Sequence, residues 1–207
     1  MPDHEMVNRI ATSFGGTATT EGELVRAHYL GVAAGERPGG FDWGPYRLAL
    51  LHAGRVPAEA VTAAGAALAE ALAGPADVVW SQVLPGAREG MESLVASGAR
   101  LAIVSNSDGT VEASLSSRRL VPAGTPVLDS AAVGISKPDP GIFALALGAL
   151  GVTAERAWHV GDVPSADVAG ARAAGVHPLH LDPVGWCHAL DHDHVRTLGE
   201  VAGVIAG

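Results

Sequence analysis

Three stretches in the second half of the chain hold residues whose types and spacing could do chemistry. The apolar run Ala157-Trp158-His159-Val160 ends in Gly161-Asp162, and a second acid follows at Asp167. One carboxylate closing a strand and another opening the next helix can together hold a hard cation such as magnesium, directly or through water. A negative charge in a first helical turn also suits the helix dipole. A lone Gly-Asp would be only a turn, so the other two stretches matter. Leu101-Ala102-Ile103-Val104 ends at Ser105-Asn106. A hydroxyl at the end of an apolar strand, with backbone N–H groups near it, can donate to a phosphoryl oxygen; a simple polar turn is the competing reading. The third stretch is Ile135-Ser136-Lys137-Pro138-Asp139-Pro140. Asp139 fits an N-cap and Pro140 the first helical position. Lys137 therefore comes just ahead of a helix, where it supplies a fixed point charge for an anionic group.

The elements that must position these residues follow from the same pattern. Each short apolar run reads as a buried strand and each small-residue segment after it as a helix. Ligands of an open parallel sheet bind at the carboxyl ends of its strands, where Ser105 and Asp162 would fall. Residues 85–207 are thus expected to form an α/β unit, a doubly wound parallel sheet whose last strand spans Val176–Leu181. A short closing helix follows through Val195, Leu198, Val201 and Ala202. Residues 1–84 read differently: Val25/Tyr29/Val32, Tyr46/Ala49/Leu50/Ala53 and Val61/Ala64/Leu68/Leu72 form helical stripes with no convincing buried strand. His28, Trp43 and Arg47 are candidates to line a pocket there, against the competing reading of helix packing or surface roles.

Composition narrows the function classes. The 207 residues are 48% hydrophobic and 17% charged, a globular balance. A net charge of −9 argues against a nucleic-acid partner, which would need a basic face. The single cysteine, Cys187, excludes an internal disulfide framework and suits a reducing cytoplasm. No signal peptide or bilayer-length apolar run is evident. Oligomeric state is not legible.

In this order the three stretches resemble the motifs of the haloacid dehalogenase superfamily of hydrolases. Ile103-Val104-Ser105-Asn106 is similar to the second motif, Gly134 through Pro140 to the third and Val160-Gly161-Asp162 through Asp167 to the fourth. The resemblance covers about Pro85 to the end, and the helical first half is similar to that family's early helical cap. It implies Ser105, Asn106 and Lys137 at the phosphoryl group and Asp162 and Asp167 as Mg2+ ligands. The implied reaction is hydrolysis of a small phosphorylated substrate through an aspartyl-phosphate, with a second aspartate as acid and base. Dehalogenation of a 2-haloacid, a phosphomutase activity and a non-catalytic relic or binding protein are the alternatives; the intact acid pair favours the metal-dependent branch.

One departure stands out. The family's first motif, an apolar strand ending in Asp-x-Asp, should precede the helices and is not found in these 207 residues. Asn106-Ser107-Asp108-Gly109-Thr110 is a decoy, and Asp3 has no apolar run before it. The expectation is an inactive chain with a late start, and a sheet lacking its middle strand. Its two neighbours would then either pair directly or flank a slot. The His- and Asp-rich tail, His188 and Asp191 through His194, reads as a solvated loop rather than a metal site.

Overall fold

The computed structural model describes residues 1–37 and 40–206. The chain divides into two units, Met1–Leu84 and Pro85–Gly207. The first is built from α1 (His4–Ser13), α2 (Glu21–Gly35), α3 (Trp43–Ala53), α4 (Val61–Leu72) and α5 (Ala76–Val79). Thr20 and Glu23 form a reciprocal capping box that starts α2. Asp3 caps α1 by accepting from Met6 N at 2.8 Å, a structural role for that acid. Helices α2 and α3 approach closely because position 31 is glycine: a Cβ there would lie 2.9 Å from the Tyr46 ring. His28 is buried at this contact, its Nδ1 2.8 Å from the Tyr46 hydroxyl, so it packs helices. Trp43 joins Phe41, Tyr46 and Trp80 in an aromatic group. Two short strands, β1 (Glu36–Arg37) and β2 (Gly40–Phe41), pair antiparallel between α2 and α3. Two residues give no periodicity, which is why the sequence does not announce them.

The second unit is α/β. It runs α6 (Ala87–Ala96), β3 (Ile103–Ser105), α7 (Val111–Ser117), β4 (Val127–Asp129), α8 (Ser130–Val133), α9 (Pro140–Leu150), β5 (Trp158–Gly161), α10 (Asp167–Ala173), β6 (His177–Leu181), β7 (Asp193–Val195) and α11 (Leu198–Ala206). Strand β3 pairs parallel with β4, Ser105 opposite Asp129. Strand β5 pairs parallel with β6, Gly161 opposite His180, and β6 pairs parallel with β7. Helix α9 begins where its sequence says: Asp139 accepts from Gly141 N at 2.8 Å and Pro140 takes the first helical position. Ile142 and Phe143 of α9 pack with Ala171 and Val176, and Val104, Leu128 and Ala157 close against them. One helical layer thus rests on both strand groups.

The tail departs from the expected solvated loop, because Asp193–Val195 is a strand of the sheet. Of its three residues only Val195 is buried and Asp193 is exposed, so the strand is too short and too polar to register as an apolar run. No helix among the described residues is long and apolar enough to cross a membrane.

Among the described residues β3 and β5 do not pair with each other. Ile103 N donates to Pro126 O, and His177 N donates to Ala157 O. In parallel pairing, alternate residues address opposite neighbours. Val104 in β3, and Trp158 and Val160 in β5, therefore turn their backbone groups away from β4 and β6. A cavity of about 510 Å³ lies there, lined by Val104, Phe143, Trp158, Val160 and Val201 among others. Of the two arrangements expected of these strands, direct pairing or a slot, β3 and β5 show the slot among the described residues.

Candidate active site

Ser105 closes β3, and Asn106 begins the turn after it. The Asn106 side chain and the Lys137 backbone bond reciprocally: Nδ2 donates to Lys137 O at 2.9 Å and Lys137 N donates to Oδ1 at 2.8 Å. This ties the end of β3 to the loop before α9. Lys137 then reaches across that loop, and its Nζ lies 2.7 Å from Asp167 Oδ1. His159, on β5, places Nε2 2.8 Å from the same oxygen, and Val163 N donates to Oδ2 at 3.0 Å. Both oxygens of Asp167 are thus engaged, and the carboxylate is buried. Gly161 makes room for it: a Cβ at that position would stand 2.1 Å from Asp167 Cγ.

The electrostatics follow from this arrangement. Burial by itself pushes the Asp167 carboxyl up, but the Lys137 ammonium and the His159 imidazole outweigh it and hold the carboxyl well below the usual carboxylate range. Asp162, partly buried, follows directly on β5, on the turn that Asp167 fixes through Val163. The Asn106–Thr110 decoy is a turn: Asp108 Oδ1 accepts from Thr110 N and Oγ1, and buried Asp129 accepts from Gly109 N at 3.0 Å.

Direct hydrogen bonds therefore join Asn106, Lys137, Asp167 and His159, spanning the carboxyl ends of β3 and the strand β5. Ser105 and Asp162 sit beside the two ends of this chain in sequence. His159 was not singled out in the sequence. It lies inside an apolar run, two residues before Gly161, where a polar residue at a strand's end reads as ordinary alternation.

Parallel strands crossed over by helices, with polar and acidic side chains gathered at their carboxyl ends, define an α/β protein of the doubly wound class. The comparisons place it more narrowly. A model of the haloacid dehalogenase-like hydrolases matches residues 9–175, and the chain belongs to that family. It is 55% identical over 56 residues to a phosphoserine phosphatase of Thermus thermophilus, 27% of this chain and 22% of the relative. It is 37% identical over 144 residues to a phosphoglycolate phosphatase of Rhodospirillum rubrum, 68% of this chain and 57% of the relative. The chain thus spans well under two thirds of these relatives. The crystal structure of a HAD phosphatase from Thermococcus onnurineus superposes with a TM-score of 0.57 at 22% identity, over 98% of this chain and 87% of the other; it shares the fold.

Proposed function

We propose that this protein is the phosphoryl- and metal-binding part of a magnesium-dependent phosphatase for a small phosphate ester. Ser105, Asn106 and Lys137 hold the phosphoryl group, and Asp162, assisted by Asp167, holds the magnesium ion. The observation that carries this reading is the hydrogen-bonded chain from Asn106 through Lys137 to Asp167 and His159. A lysine clamped by its backbone on one side and by a buried carboxylate on the other is a positioned charge rather than a solvated one. Relatives from Thermus thermophilus and Rhodospirillum rubrum carry phosphatase names, which favours phosphate monoesters over haloacids.

The donor set suits magnesium. Asp162 offers hard oxygens at a strand's end, and magnesium takes one or two carboxylates and completes its shell with water and phosphate oxygens. When bound, the ion would offset the charge of the phosphoryl group. The chain's own residues orient that group: Lys137 stabilises charge on its oxygens, and Ser105 donates a hydroxyl. The attacking aspartate and the acid–base aspartate that the family resemblance implies are proposed to arrive on an apolar strand seated in the slot between β3 and β5. The helical unit Met1–Leu84 is proposed as the cap that decides which phosphate ester enters.

Calorimetric titration with magnesium tests the metal assignment. Binding by the parent should weaken strongly in Asp162→Asn; equal binding by the two proteins would refute it.

A further inference from the structure

Four side chains outside this site converge at the other edge of the sheet. His180 lies next to the end of β6, His194 is its register partner on β7, and Cys187 and His192 come from the loop between them. One potential ligand atom from each lies within 4.8 Å of all the others. His192 Nε2 is 3.3 Å from His180 Nδ1 and 3.9 Å from Cys187 Sγ. Four N and S ligands around zinc, at about 2.0–2.1 Å and 2.3 Å from the metal, lie roughly 3.3–3.7 Å apart. Two of the separations are already close to that, and the widest needs to shrink by about 1 Å.

The surroundings are those of a built site. His180 is fully buried with Nδ1 facing His192, and the Nε2 of His194 has no hydrogen-bond partner among the described residues. His192 turns its other nitrogen, Nδ1, to Asp191 Oδ1 at 2.8 Å, and Arg172 holds that carboxylate at 2.7 Å. A carboxylate behind a histidine is the usual support of a metal ligand, fixing tautomer and ring orientation. Buried Asp182 gathers the turn that delivers the thiol, accepting from Gly185 N at 2.8 Å and Cys187 N at 2.9 Å. Three imidazole rings with centroids 4.5–5.4 Å apart have little reason to crowd beside a thiol without a shared partner.

We propose that His180, Cys187, His192 and His194 form a structural zinc site. Four protein ligands of this kind leave no open position, so the ion holds rather than reacts. A thiolate with three imidazoles selects zinc over magnesium or calcium, which take oxygen. The site pins the Asp182–His192 loop to β6 and β7. Because His180 sits opposite Gly161 in register, it also braces the strand next to Asp162. The proposal stands apart from the phosphatase assignment.

The test is zinc content by elemental analysis after loading and gel filtration, together with the absorption spectrum of the cobalt-substituted protein. The parent should hold about one zinc per chain, and its cobalt form should show a thiolate-to-metal charge-transfer band. Cys187→Ser should remove the band, and Cys187→Ser/His192→Ala should lose the zinc. Asp191→Ala should weaken zinc about 10- to 100-fold. Asp162→Asn should bind zinc as the parent does, which separates this site from the magnesium site. A folded parent that retains no zinc, or whose cobalt form lacks the thiolate band, would overturn the proposal without recourse to any variant. So would zinc content unchanged in the double variant.

Discussion

A methyl group at position 161 would stand 2.1 Å from Asp167 Cγ, against side-chain atoms that three hydrogen bonds hold in place. Gly161→Ala should therefore dislodge the carboxylate and cost about 1–3 kcal/mol, read as a lower denaturation midpoint. Asp167→Ala should cost up to about 3 kcal/mol, because it leaves half-buried Lys137 without its counter-charge. The same carboxylate makes stability depend on pH. Its value in the folded protein lies below the ordinary one of about 3.9. Folding thus favours its ionised form, and that contribution is fully present above pH 3.9 or so and is lost as pH falls below it. Denaturant midpoints between pH 6 and pH 3 should fall more steeply for the parent than for Asp167→Asn; parallel curves would contradict the assignment. For Lys137 the effect is on chemistry. In a catalytically complete form Lys137→Ala should lower turnover by orders of magnitude, and a variant that keeps most of its turnover would reduce Lys137 to a structural partner of Asp167.

At the scale of elements, the slot between β3 and β5 has a measurable consequence. Amides whose strand neighbours are in place exchange slowly, and those facing an open edge do not. The amides of Val104 and Val160 should exchange faster than those of Leu179 and Leu181 on β6, which has a neighbour on each side. Equal protection would mean that the edges of β3 and β5 are satisfied in some other way. The elements bordering the slot were also the most legible in the sequence. Apolar runs ending at Ser105 and Gly161 gave their strands, and Asp139-Pro140 gave the start of α9, because burial and capping leave local signatures. Strand β7 was not legible. Its Asp193-His194-Val195 has one inward side chain, and only pairing with β6 makes a strand of it. His159 was hidden for a related reason: its role depends on Asp167, which the chain returns to it through a turn and the start of a helix. The convergence of His180 with Cys187, His192 and His194 is likewise a product of β6–β7 register, which linear spacing does not encode.

For the whole molecule, the family assignment and the geometry meet in one claim. The proposal is that this member of the haloacid dehalogenase-like hydrolases presents phosphoryl- and magnesium-binding groups at Ser105, Asn106, Lys137 and Asp162, and that the attacking carboxylates arrive on a further strand. Its negative charge and α/β fold are consistent with small anionic substrates handled at one local cationic point, Lys137, rather than with a polyanion bound over a surface. The most direct measurement is magnesium-dependent phosphate release over phosphoserine, phosphoglycolate, sugar phosphates and an aryl phosphate. It should be made on the pure 207-residue protein and on a form extended at its amino terminus by an apolar strand ending in Asp-x-Asp. The account predicts no release by the 207-residue protein, release by the extended form, and loss of that release in its Asp162→Asn variant. Magnesium-dependent phosphate release by the pure 207-residue protein would contradict it.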